Sequence, residues 1–214
     1  MLQVKIVPVT AFAQNCSILW DADTKQAVLI DAGGDAKKLQ QEVEALGLTV
    51  QALWVTHGHL DHVGAVGELA RVWQVPVIGP QKEDQFWLDA LQDVSARYGF
   101  PIPEPVEVTQ WLEGGETLTL GEHQFEVRYA PGHTPGHVMF YSAEYGLLWT
   151  GDVLFKGSIG RTDFPRGNHQ QLLDSIQWEC FSLPDDTQFI SGHGPISTIG
   201  HEKQFNPFVA SKAG

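Results

Sequence analysis

Short apolar runs, broken by glycine, proline and acidic turns, dominate the chain, and most have the length of a strand rather than a helix. Gln3–Val9, Cys16–Trp20 and Ala27–Ile30 read as successive strands, with turn residues at Asp21-Ala22-Asp23 and Gly33-Gly34. The period then changes. Leu39, Val43 and Leu46 recur at helical spacing through Ala36–Leu46, and Gly47 supplies the stop. Val50–Val55 is a strand, and a helix over Val63–Trp73 and a short strand at Val75–Ile78 come after it. Lys82–Tyr98 predicts a helical stretch with breaks, anchored by Phe86, Trp87 and Leu91. Pro101, Pro103 and Pro105 make the next segment a loop.

The second half repeats this style without repeating the sequence. Glu116–Leu120, Gln124–Ala130, His137–Tyr141 and Leu147–Thr150 are predicted strands, with a loop over Phe155–Asn168. A helix at His169–Cys180, a strand at Gln188–Ile190 and a last helix at Thr198–Phe205 complete the pattern. Strands with interposed helices in both halves, and no linker between them, predict one α/β domain over residues 1–214. Its expected form is two sheets packed face to face with helices outside.

Composition narrows the possible partners. Acidic residues outnumber basic ones by 26 to 13, for a formal charge of -13, a field that repels nucleic acid and anionic membranes. No apolar run reaches membrane-spanning length. The two cysteines, Cys16 and Cys180, form no CxxC pair, and no leader pattern opens the chain. The expectation is a cytoplasmic protein, monomeric or a small homo-oligomer, acting on a small molecule.

The chemistry concentrates in Thr56-His57-Gly58-His59-Leu60-Asp61-His62, where three imidazoles and a carboxylate follow a strand directly. Imidazole and carboxylate suit a borderline divalent ion such as zinc. One His-x-His is commonly just a surface loop, but further candidates follow. His133 sits in Pro131-Gly132-His133-Thr134-Pro135-Gly136-His137, Asp152 follows Leu147-Leu148-Trp149, and His193 lies in Ser191-Gly192-His193-Gly194-Pro195. Each follows an apolar run and neighbours glycine, as ligands at the rim of a sheet should.

With those segments in order along nearly the whole chain, the sequence resembles the metallo-β-lactamase fold superfamily. The resemblance implies a four-layer αββα sandwich with two divalent metal ions at one edge, zinc first and iron or manganese as alternatives. It implies that His57, His59 and His133 hold one ion, that Asp61, His62 and His193 hold the other, and that Asp152 bridges them. A metal-borne hydroxide would then be the nucleophile, with Asp61 orienting it as the catalytic residue. Neither cysteine falls in these segments, which weighs against the β-lactam hydrolases that place a cysteine in the second site.

Asp152-Val153-Leu154-Phe155-Lys156-Gly157-Ser158-Ile159-Gly160-Arg161 and the ending Thr198-Ile199-Gly200-His201-Glu202 to Asn206-Pro207-Phe208 resemble the glyoxalase II group in a short form without its C-terminal helical domain. That resemblance implies hydrolysis of a glutathione thioester such as S-D-lactoylglutathione, with Arg161 binding a glutathione carboxylate. A loop arginine paired with Asp163 is the plainer reading of Arg161. Gly160-Arg161-Thr162-Asp163-Phe164 also resembles the persulfide dioxygenases, which would imply a single iron. Hydrolysis of another small ester or thioester is the remaining alternative.

Other residues have blander expectations. His137 either supports the centre near His133 or makes ordinary strand hydrogen bonds, while His123, His169 and His201 should face solvent. Trp54, Trp149 and Trp178 are expected in the core. Phe86 and Trp87 are candidates for a pocket wall, and Cys16 should be buried.

Overall fold

The computed structural model describes residues 1–210. The chain opens with β1 (Leu2–Val9), β2 (Gln14–Asp21) and β3 (Gln26–Ile30), then α1 (Ala36–Ala45) and β4 (Thr49–Trp54). Next come α2 (Leu60–Val63), α3 (Val66–Trp73), β5 (Val77–Ile78), a 3-10 turn at Lys82–Asp84, α4 (Gln85–Asp89) and α5 (Leu91–Tyr98). The second half contains β6 (Thr117–Leu120), β7 (His123–Tyr129), β8 (Val138–Ser142), β9 (Leu147–Gly151), β10 (Leu154–Phe155) and β11 (Ser158–Ile159). It closes with α6 (His169–Ser175), a π-helical turn at Ile176–Cys180, β12 (Gln188–Ser191), β13 (Ser197–Thr198) and α7 (Ile199–Phe205).

Five strands form one sheet in the order β1-β2-β3-β4-β5, and six form the other in the order β13-β12-β9-β8-β7-β6. Both are mixed: β3, β4 and β5 run parallel, as do β9 and β12, and the remaining neighbours are antiparallel.

Alternation along the strands explains the layers. In β2, Cys16 and Ile18 face α1 and α3, whereas Leu19 faces the other sheet. In β8, Val138 and Phe140 point between the sheets, and Met139 and Tyr141 point outward toward α6 and the turn after it. A strand buried on both faces reads as a continuous apolar run, which is why these segments show so little polar alternation. Three apolar layers thus alternate with four structural ones, giving the expected αββα sandwich. Trp54 of β4 crosses the middle layer, with its ring 5.1 Å from Phe125 and 5.3 Å from Phe140.

Four expectations need correction. The helix expected from Val63 starts earlier and is split, because the chain at Gly64 and Ala65 is drawn against the loop after β3 and the Ala65 N–H leaves the helical ladder. The Ala65 N–H donates to Ala32 O (2.9 Å), and a Cβ on Gly64 would lie 2.6 Å from Gly33 O. The loop expected over Phe155–Asn168 contains the β10–β11 hairpin, whose two-residue strands are too short to show a period. His123 is buried rather than solvent-facing, held by Asp21 (2.9 Å) and Tyr145 (3.0 Å). Trp178 is 69 % exposed rather than in the core, because the π-helical turn rotates it outward while Ile176 and Cys180 point in. His169 and His201 do face solvent. Among the described residues, no helix is long and apolar enough to cross a membrane.

Both cysteines are free and buried, Cys16 in the helix-side layer and Cys180 against Met139 (Sγ–Sδ 3.7 Å). Burial pushes the Cys16 thiol far up and the Cys180 thiol up to about 12. A disulfide reagent such as DTNB should therefore find no thiol in the native protein and both in denaturant. A thiol that titrates without denaturant would contradict this packing.

Candidate metal centre

The carboxyl ends of four strands meet at one edge of the sandwich. β4 leads into His57, His59 and α2, which carries Asp61 and His62; the turn between β7 and β8 carries His133; β9 ends beside Asp152; β12 ends beside His193. All seven residues expected at the centre are brought together. His57, His59 and His133 form one group able to hold an ion, and Asp61, His62 and His193 form a second. Within the first, His59 Nδ1 lies 3.1 Å from His57 Nε2 and 3.0 Å from His133 Nε2. Ligand nitrogens on a tetrahedral zinc ion would stand roughly 3.3 Å apart, so the cluster already has nearly the required span.

Asp152 adjoins both groups. Its Oδ1 is 3.3 Å from His62 Nε2, and its Oδ2 is 3.6 Å from His133 Nε2 and 3.8 Å from His193 Nε2. In the second group Asp61 Oδ2 lies 3.1 Å from His193 Nε2. His62 Nε2 and Asp152 Oδ1 are buried without a hydrogen-bond partner. Polar atoms left unpartnered in a buried cluster are costly unless something else binds them, and divalent cations fit this donor set.

The surrounding bonds set the ring orientations. Thr56 Oγ1 donates to Asp31 Oδ2 (2.6 Å), so it accepts from His57 Nδ1 (3.0 Å) and leaves His57 Nε2 facing the cluster. His133 Nδ1 donates to Arg161 O (2.7 Å) and His62 Nδ1 to Asp31 Oδ2 (2.8 Å), again turning Nε2 inward. Such partners fix tautomer and orientation in metal-binding histidines. His137 proves to support the centre: its Nε2 accepts from the Asp152 N–H (3.1 Å), and its ring stacks on His57 at 4.7 Å. Gly151 makes room for this. Its φ is +49°, and a Cβ there would lie 2.6 Å from both His137 Nε2 and Thr56 Oγ1.

Charge is distributed unevenly. Burial, reinforced by neighbouring imidazoles, holds His57 well below its usual pKa and His59 down to about 3, so both are neutral at pH 7. Burial opposes a charge on His62 too, but Asp152, Asp31 and Asp61 outweigh it and push that pKa well above the ordinary value. Asp152 is likewise disfavoured by burial, yet His62 and His133 keep it ionised.

Two functional carboxylates escaped the sequence reading. Asp31, at the end of β3, accepts from Thr56 N (2.7 Å) as well as from Thr56 Oγ1 and His62. Asp84, fully buried, accepts from Gly58 N (2.8 Å), Thr134 Oγ1 (2.8 Å) and Gly136 N (2.6 Å). It therefore ties the loop of His57 and His59 to the loop of His133. Burial raises its carboxyl to about 6 against these three hydrogen bonds, so it is a carboxylate at neutral pH. Trp87, three residues on, packs edge-on against His59 at 4.5 Å. The signal for Asp84 in the sequence was only an acidic residue inside a helical stretch.

The Arg161 side chain is part of neither cluster, although the backbone carbonyl of that residue accepts from His133 Nδ1. It is exposed and paired with Asp163 through Nε (2.6 Å) and Nη2 (2.6 Å), as the plainer reading expected. Its guanidinium lies 4.2 Å above the Phe164 ring, which in turn packs against His59 at 5.0 Å.

An αββα sandwich with adjacent His/Asp clusters at one edge defines a metal-dependent hydrolase class. The chain belongs to the metallo-β-lactamase superfamily: the model of that family matches residues 9–193. Within it, the chain resembles the compact glyoxalase II-like group. It is 46 % identical to the hydroxyacylglutathione hydrolase GloC of Haemophilus influenzae, over 99 % of this chain and all of that one. Among solved structures it is similar to the BLEG-1 B3 metallo-β-lactamase (38 % identity, TM-score 0.90, covering 98 % of this chain and 100 % of that one). It is also similar to TTHA1623 in a di-iron-bound form (35 % identity, TM-score 0.88, covering 96 % and 100 %).

Replacing Asp84 by Asn keeps one acceptor oxygen but turns an amide toward backbone N–H donors. Asp84→Asn should weaken ion binding at His57, His59 and His133 by about 10- to 100-fold, the usual effect of losing a supporting partner. Chelator competition reads this directly, and an unchanged affinity would show that the two loops hold without Asp84.

Proposed function

We propose that this chain hydrolyses a glutathione thioester, of which S-D-lactoylglutathione is the simplest case, at a pair of divalent cations. The observation carrying the reading is the two adjoining His/Asp groups with Asp152 between them, joined to the 46 % identity with GloC of Haemophilus influenzae. Zinc is the metal proposed, with iron or manganese as alternatives; the di-iron form of TTHA1623 supports iron as one of them. The cations would supply an activated water at neutral pH and polarise the thioester carbonyl.

The chain's own residues do the rest. His57, His59 and His133 are assigned to one ion, Asp61, His62 and His193 to the other, and Asp152 to both. Asp61, partly exposed beside His193, is the residue proposed to orient the attacking water. A thiol with a pKa of about 8.5 leaves as the thiolate, so a thioester needs no separate acid to protonate its leaving group. Arg161 is the group proposed for a glutathione carboxylate. Its solvent-exposed pairing with Asp163 exchanges readily, and the Phe164 ring holds the guanidinium near His59. With both cysteines free, the cytoplasm is the compartment proposed.

Likeness to BLEG-1 favours a second reading, opening of a β-lactam ring at the same centre. Metal content of the purified protein, measured anaerobically beside assays on S-D-lactoylglutathione, glutathione persulfide and nitrocefin, separates these readings. Two ions per chain with thiol release from the thioester is the expected result, and Asp61→Asn should lower that turnover by about 100-fold, the scale of a misoriented nucleophile. One iron per chain with persulfide-dependent oxygen uptake, or cleavage of nitrocefin alone, would overturn it.

A further inference from the structure

The chain carries a cleft of which the thioester reading uses only Asp61. It has a volume of about 480 Å³ and opens between the turn joining β1 to β2 and the loop after α5, with Asp61 and Leu60 in its lining. Phe12 and Phe100 face each other there with ring centroids 5.2 Å apart, and Ile102 is 55 % exposed beside them. The Phe12 loop is tied to the centre itself, since Phe12 O lies 3.3 Å from His193 Nδ1.

Two features restrict what this cleft can hold. Its volume is in the range of pockets that enclose a drug-sized group, far larger than a three-carbon lactoyl unit requires. Its charged lining residues among those described are all acidic: Asp35, Asp61, Glu68 and Glu104, with Glu104 paired to Arg71 and Asp61 to His193. Among the described residues, no lysine or arginine lines it. A glutathione moiety, with two carboxylates, is repelled there, whereas Arg161 stands beside the other group of ligands through His133 and Phe164.

We infer that this cleft is the acyl subsite, and that the preferred substrates are glutathione thioesters of uncharged, apolar acyl groups larger than lactoyl, such as medium-length or aromatic acyl chains. The inference rests on the thioester reading. Glutathione lies toward Arg161, the scissile carbonyl over the centre, and the acyl chain against the Phe12–Phe100 pair and Ile102. Water adds to the acyl carbon, the C–S bond breaks, and a carboxylic acid and glutathione are released. Each methylene taken from water is worth roughly fourfold in binding, so a chain longer by a few carbons should gain clearly.

The test is kcat/KM of the metal-loaded enzyme on the D-lactoyl, hexanoyl, phenylacetyl and succinyl thioesters of glutathione. Hexanoyl and phenylacetyl should exceed lactoyl by about tenfold or more, while succinyl, anionic at its far end, should gain nothing from its length. Phe12→Ala and Ile102→Ser, both at exposed positions, should collapse the hexanoyl-to-lactoyl ratio, and Glu68→Lys should raise succinyl relative to hexanoyl. Calorimetric binding of S-hexylglutathione, a thioether that cannot be cleaved, should be about tenfold tighter than that of S-methylglutathione and lose this margin in Phe12→Ala. Lactoyl cleavage with a flat response to chain length, or a preference indifferent to Phe12→Ala, overturns the acyl subsite and leaves thioester hydrolysis standing. Failure to cleave any of the four thioesters overturns both.

Discussion

One buried carboxylate, Asp31, joins the end of β3 to the start of the candidate centre, and the geometry there depends on it. Its oxygens take the Thr56 N–H, the Thr56 hydroxyl and His62 Nδ1 at 2.6 to 2.8 Å. Through Thr56 it also sets which nitrogen of His57 faces inward. A neutral residue of the same size would leave a donor unsatisfied at full burial, where the penalty is greatest. Asp84 does for His57, His59 and His133 what Asp31 does for His57 and His62. The two carboxylates reach the centre from different segments and hold its loops from behind, so the ligand side chains need no support from one another.

The sandwich makes that arrangement rigid. Trp54, Phe125 and Phe140 fill the space between the sheets immediately behind the strand ends that carry the centre. At the opposite end of the chain, Glu202 and Asn206 fasten the β10–β11 hairpin: Glu202 accepts from Gly157 N (2.8 Å), and Asn206 Nδ2 donates to Ser158 O (3.0 Å). That hairpin leads directly to Arg161, so the closing segment positions the proposed carboxylate-binding arm by way of its backbone.

The seven residues brought together at the centre were legible in the sequence because they announce themselves locally: His57, His59, His133, Asp152 and His193 each adjoin a glycine, and four of the seven fall inside six positions after a strand. Layering was legible for the same reason, since strands buried on both faces leave continuous apolar runs. Asp31 and Asp84 were not, because a lone aspartate carries no period and its partners lie 25 to 52 positions away. His123 looked like a surface residue for the same reason; what buries it, Asp21 and Tyr145, is distant in sequence. Trp178 failed differently. Its helical phase was right up to Ser175, and one π-helical turn then rotated it out of the core. The cleft beside Asp61 was invisible because its walls come from four separate segments with no pattern in common.

The proposed function requires two ions that share Asp152. Anomalous diffraction from crystals of the metal-loaded protein, collected on either side of the zinc and iron absorption edges, locates them without reference to activity. Two peaks are expected, one among His57, His59 and His133 and one among Asp61, His62 and His193, each in contact with an Asp152 oxygen. A single peak, or a second one away from Asp152, would contradict the proposal.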